Sequence, residues 1–156
     1  MNNMRRGFTM IELIFVIVII GILAAVAIPK LSATRDDAKI SSLIANTRTV
    51  VEDVKNFYTS QGLTAWQGAS VLDVTDVPLF TDNTCGTQAT SADTFKGANL
   101  YMCDDANDVV DITSTDVNVT IANGSSTSAI ATAVKNDKSF IPLVKTHRLG
   151  GQAVKR

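Results

Sequence analysis

Few side chains in this sequence have types and spacing that could do chemistry. Glu12 stands inside an apolar run from Phe8 to Ile28 that is otherwise broken only by Thr9. A carboxylate in hydrocarbon costs on the order of a few kcal/mol, so it calls for a partner. Asp104, Asp105, Asp108 and Asp111, with Asn107, are the right donors for a hard cation. Their spacing fails as an EF-hand: a loop starting at Asp105 has Val110 where glycine is needed and Asp116 where glutamate is usual. A solvated acidic loop is the competing reading, and Asp104, Asp105 and Asp108 are kept only as weak calcium candidates. His147 lies in a basic tail with neither a nucleophile motif nor metal-ligand spacing, and reads as solvated. No catalytic constellation and no Gly-rich phosphate loop is present, so the sequence indicates no enzyme and no cofactor. Asn118-Val119-Thr120 and Asn123-Gly124-Ser125 match the glycosylation pattern, and alternation with Val117, Val119 and Ile121 would turn Asn118 to solvent.

The elements around these residues begin with a membrane-length segment. Residues 1–7 are polar and basic, ending Arg5-Arg6-Gly7, and the 21 residues from Phe8 to Ile28 would span about 31 Å as a helix. A secretory signal peptide is one reading, with Ala25-Val26-Ala27 as its cleavage site, but the apolar run is too long and contains an acid. A plain anchor explains the length and leaves Glu12 unexplained.

A third reading accounts for both. Gly7-Phe8-Thr9-Met10-Ile11-Glu12-Leu13, continued by Gly21-Ile22-Leu23-Ala24-Ala25-Val26-Ala27-Ile28-Pro29, resembles the N-terminus of type IV prepilins and type II secretion pseudopilins. The resemblance implies cleavage between Gly7 and Phe8 by a membrane-embedded prepilin peptidase, followed by methylation of the Phe8 amine. It implies that Arg5 and Arg6 hold the leader in the cytoplasm. Glu12 would meet the Phe8 amine of a neighbouring subunit; neutralising the amine of its own chain is the alternative. A dehydrated carboxylate and ammonium pair strongly, and either left alone is penalised. Gly21 and Pro29 would break the helix, by a kink at Pro29 in an isolated subunit and by extension in a filament. The implied location is the inner membrane, single-pass with a cytoplasmic N-terminus and a periplasmic C-terminal domain, and then a periplasmic or extracellular filament. The implied partners are further copies of the chain, other pilin-like subunits, the peptidase, an inner-membrane assembly platform and the membrane itself.

The expected fold is α+β, pilin-like: a long N-terminal helix, transmembrane in its first half, on a small antiparallel sheet. The expected divisions are a removed leader at 1–7, a membrane and filament-core helix at 8–29, an amphipathic continuation at 30–61 and an extracytoplasmic domain at 62–156. Leu31, Ile40, Leu43, Ile44, Val50, Val51, Val54, Phe57 and Tyr58 fall largely on one face of the continuation, and Gly62 is a plausible stop. From Phe8 to Gln61 such a helix is about 80 Å long. Residues 62–98 read as a loop, with Trp66 packing it. Strands are expected at 99–102, 117–121, 129–134 and 140–144, with a hairpin at Asn123-Gly124 between the second and third.

Cys85 and Cys103 are the only cysteines. In an exported chain an even pair reads as a disulfide, worth roughly 3 kcal/mol for a loop of this length; the alternative is two buried thiols. The formal charge of -1 hides a separation. Residues 73–116 hold nine acids and one base, whereas six Lys or Arg follow Val134 against Asp137 alone. Separated charge on a near-neutral chain favours contacts with proteins, including its own copies, over a general affinity for nucleic acid. The functional reading is a structural subunit of a type IV filament. The helix-end stretch Lys55-Asn56-Phe57-Tyr58-Thr59-Ser60-Gln61-Gly62 is similar to major pseudopilins and tips the choice slightly toward a type II secretion pseudopilus. The alternatives are a type IV pilus pilin, or a minor tip subunit that binds DNA or surfaces through the basic tail.

Overall fold

The computed structural model describes residues 7–150, which form two compact units, one ending at Ala38 and one beginning at Lys39. Helix α1 (Met10–Gly68) starts in the first and continues in the second. Its apolar start is long and apolar enough to cross a membrane, and the most apolar stretch buries nothing within the chain. Phe8, Ile11, Phe15, Ile22 and Ile28 are all more than half exposed. An apolar surface this continuous is unstable in water and demands lipid or protein around it. Gly21 and Pro29 keep helical dihedrals, for Gly62 is the one position inside α1 with non-helical ones. Pro29 forfeits a single backbone bond and Gly21 costs about 1 kcal/mol relative to alanine. A long helix absorbs both.

In the second unit α1 turns one face to the core through Leu43, Ile44, Thr47, Val50, Val51 and Val54, the helical repeat expected of an amphipathic segment. Thr47 fits this apolar row because its hydroxyl is satisfied within the helix, donating to the Leu43 carbonyl at 2.8 Å. Gly62 interrupts the helix, as expected of a stop. It takes φ 77° and ψ 178°, a conformation open to glycine, and helix resumes to Gly68. That resumed turn carries Trp66, which therefore lies on a helix and not in a loop. Its ring is fully buried against Phe57, Tyr58 and Phe95, and its Nε1–H donates to the Thr115 carbonyl at 2.9 Å. A short turn of helix, α2 (Val71–Val74), follows, opened by a capping box between Ser70 and Asp73.

The sheet is an antiparallel meander in the order β1 (Asn99–Asp104), β2 (Asn107–Ser114), β3 (Asn118–Asn123), β4 (Thr146–Arg148). Leu100, Met102, Val110, Ile112, Val119 and Ile121 are buried in one cluster with the α1 residues. The α+β fold with a long helix on a small antiparallel sheet is as expected; several elements are not. Strand β2 occupies the stretch read as an acidic loop, because Val109, Val110 and Ile112 beside its carboxylates are buried. Residues 129–134 are not a strand but part of helix α3 (Ala129–Asn136), started by Ser128, whose hydroxyl accepts from the Ala131 amide. Residues 140–144 are not a strand either: Pro142 lies in a 3-10 turn at Ile141–Leu143. The Asn123-Gly124 pair makes no hairpin to 129–134. Gly124 passes so close to β2 that a Cβ would stand 2.4 Å from the Asp108 carbonyl oxygen.

Candidate functional site

The N-terminal tip of α1 is built by its first turn. Thr9 is the last residue before the helix, and the Leu13 amide donates to its carbonyl at 3.2 Å. The Glu12 amide donates to Thr9 Oγ1 at 3.3 Å. In return Glu12 Oε2 accepts from both the Thr9 amide and the Thr9 hydroxyl, each at 2.8 Å. Thr9 and Glu12 thus close a reciprocal capping box that satisfies donors a helix start would otherwise leave orphaned. Oε1 takes part in none of these three bonds. The carboxylate is fixed at the positive end of the helix dipole, one turn from Phe8. Phe8 is 87% exposed, and among the described residues nothing lies within 4 Å of where a Gly7 Cβ would stand. Thr9 was not singled out from sequence, although the Thr-x-x-Glu spacing before an apolar run is the signature of this cap. The leader charges Arg5 and Arg6 lie outside the described residues.

The remaining candidates are dispersed. Asp104 and Asp105 both pair with Lys39 of α1, at 2.7 and 3.1 Å. Asp108 is buried and accepts from the Ser125 amide and hydroxyl, at 2.6 and 3.0 Å. Asp104 and Asp105 share Lys39 while Asp108 is taken up by Ser125, and among the described residues no group of three or more His, Cys, Asp or Glu side chains could hold a metal. His147 is not solvated. It is buried on β4, its Nε2 lies 2.9 Å from the Leu143 carbonyl, and burial pushes its pKa down, helped by the charges of Lys55 and Lys145. Asn118 is half-buried opposite Arg148, its Oδ1 enclosed, so it does not face solvent freely. Cys85 and Cys103 form the disulfide, with Cα atoms 6.1 Å apart.

Comparison with known proteins adds to this geometry. Residues 2–28 match the family model of the prokaryotic N-terminal methylation motif. The chain is 34% identical over 99 residues to the type IV major fimbrial protein FimA of Dichelobacter nodosus, covering 60% of this chain and 59% of that protein. It is 40% identical over 63 residues to the type IV major pilin protein PilE of Neisseria gonorrhoeae, covering 40% of this chain and 38% of that one. Over 60 residues it is also 40% identical to the type IV major pilin protein PilA of Myxococcus xanthus, covering 38% of this chain and 27% of that protein. Motif and relatives support the type IV pilin and pseudopilin family. The matched region spans between about a quarter and three fifths of these relatives. No solved structure matches at a significant level.

Proposed function

We propose that the chain is a type IV pilin, stored in a membrane by the apolar start of α1, trimmed between Gly7 and Phe8, and polymerised through that helix. The observation that carries the reading is the capped tip: one carboxylate, hydrogen-bonded in place, at the start of a helix whose most apolar stretch buries nothing against the described residues. Cleavage would expose an ammonium on Phe8, and in an apolar surrounding that charge needs a counter-charge. The Glu12 carboxylate of an adjacent copy supplies it, and the pair fixes the axial register of helices that otherwise slide on apolar packing.

The relatives described above are named as pilins and fimbrial proteins, which supports a pilus over the secretion pseudopilus favoured by the helix-end stretch at 55–62. That stretch is a weaker guide, because Phe57 and Tyr58 are held there by packing on Trp66, a demand of the fold and not of a particular machine. The intact mass of the purified mature chain tests the processing step. It should lack residues 1–7 and carry one added methyl; a chain beginning at Ile28 would show a secretory signal peptide instead.

A further inference from the structure

Cys85 holds φ at 60°, in the left-handed region that non-glycine residues rarely adopt. The Asp82 side chain gathers the backbone around it. Its Oδ1 accepts from the Thr84 amide at 2.9 Å, the Thr84 hydroxyl at 2.5 Å and the Gly86 amide at 3.1 Å, and its Oδ2 accepts from the Thr87 amide at 2.6 Å. The Cys85 amide itself donates to the Asp82 carbonyl at 3.2 Å. One residue therefore collects the backbone on both sides of the cysteine. The base of this loop is fixed separately. Phe80 and Tyr101 exchange amide-to-carbonyl bonds in both directions at 2.8 Å, and Thr81 donates to the Thr87 carbonyl at 3.0 Å. Tyr101 lies two residues before Cys103 on β1, so the loop base is pinned to the strand that carries the second sulfur. With the base pinned, the direction in which Cys85 points depends on the turn, and the turn depends on the Asp82 carboxylate.

We propose that Asp82 is a positioning residue for the disulfide: its carboxylate folds residues 82–87 into the turn that presents Cys85 to Cys103 before the bond exists. The oxidant is a disulfide, such as oxidised glutathione. One cysteine, as its thiolate, attacks the oxidant and releases one of its two thiols, leaving a mixed disulfide on the chain. The other cysteine, as its thiolate, attacks the chain sulfur of that mixed disulfide and releases the second thiol. Overall the two chain thiols lose two electrons and two protons, and the oxidant is reduced to two thiols. Preorganisation raises the effective concentration of one sulfur at the other, which sets the second step and its equilibrium. Hydrogen bonds to the carboxylate, led by those from the Thr84 hydroxyl and the Gly86 amide, hold the Asp82 carboxyl well below the usual carboxylate range, so it stays charged wherever thiols are oxidised.

The test is the equilibrium of the Cys85–Cys103 pair of the full chain in reduced and oxidised glutathione, for wild type, Asp82→Asn and Asp82→Ala. The equilibrium constant for forming the bond should fall at least tenfold in Asp82→Ala and by a smaller factor in Asp82→Asn, which keeps one acceptor oxygen. A parallel measurement separates positioning from general support of the fold. In a Cys85→Ser, Cys103→Ser background, Asp82→Ala should leave the global unfolding free energy unchanged within error. The proposal is overturned if the glutathione equilibrium moves less than twofold, or if the serine-background protein loses global stability by as large a factor as the disulfide loses in formation.

Discussion

Replacing Trp66 tests whether the helix segment beyond Gly62 is part of the core or an ornament on it. The ring is fully buried and has three aromatic neighbours, with centroids 6.4, 6.3 and 5.5 Å away in Phe57, Tyr58 and Phe95. Trp66→Ala removes all of this and leaves a cavity, for which buried aromatic truncations cost about 3–5 kcal/mol. Trp66→Phe keeps most of the ring and loses the donor to the Thr115 carbonyl. Thr115 is exposed, so water replaces much of that bond, and the loss is about 1 kcal/mol. Packing therefore outweighs the hydrogen bond severalfold. Against a domain stability of about 5–15 kcal/mol, the alanine variant gives up about a fifth of the total or more. Hydrogen exchange of the β2 and β3 amides in the full chain reports this free energy without interference from the apolar helix. The reasoning fails if Trp66→Ala costs under about 1 kcal/mol, or if the two variants cost the same.

Burial, reinforced by the charge of Asp108 and opposed by Lys135, raises the Asp111 pKa above 3.8, and its Oδ1 is enclosed without a partner. A raised folded-state value makes Asp111 most favourable below its unfolded pKa, with stability lost as pH rises through the folded value. Asp111→Asn should therefore be more stable than wild type at neutral pH, by about 1 kcal/mol or less because the site is partly solvated, and the gain should vanish below pH 3.8 in urea titrations. His147 has the opposite sign. Its depressed folded value means that stability is lost as pH falls from 6.5 through the folded pKa, so His147→Gln should flatten the stability profile in that window. Gly124→Ala would press a methyl to 2.4 Å from the backbone of Asp108, and should cost more than 2 kcal/mol by the same hydrogen-exchange measurement.

The helix was legible because its signals are long: a membrane-length apolar run, then buried residues at helical spacing from Leu43 to Val54. The processing motif was legible because it is local in sequence. The sheet was only half legible. Strand β2 carries Asp108 and Asp111 among its buried valines, and the carboxylates looked like a loop until Ser125 gave one of them a partner. Residues 129–134 contain isoleucine, threonine and valine, which favour strands, but the Ser128 cap and burial of Ala131 and Val134 on one face decide for helix. His147 gave no sign of burial, since nothing in its neighbours reveals that β4 pairs it with Val119. Thr9 could have been found from its spacing to Glu12. The Asp82 turn could not, because four bonds to one carboxylate require the loop base that Phe80 and Tyr101 fix at a distance in sequence.

The central claim is that Glu12 joins one copy of the chain to the next. Sheared surface filaments and membrane fractions from cells carrying wild type, Glu12→Gln or Glu12→Ala measure it directly, with leader removal followed on the same blot. Both variants should be trimmed after Gly7, remain in the membrane fraction because the apolar helix is intact, and be missing from the filament fraction. Filaments of Glu12→Ala as abundant as those of wild type, formed from fully trimmed chain, would contradict the pairing role and the assembly mechanism built on it.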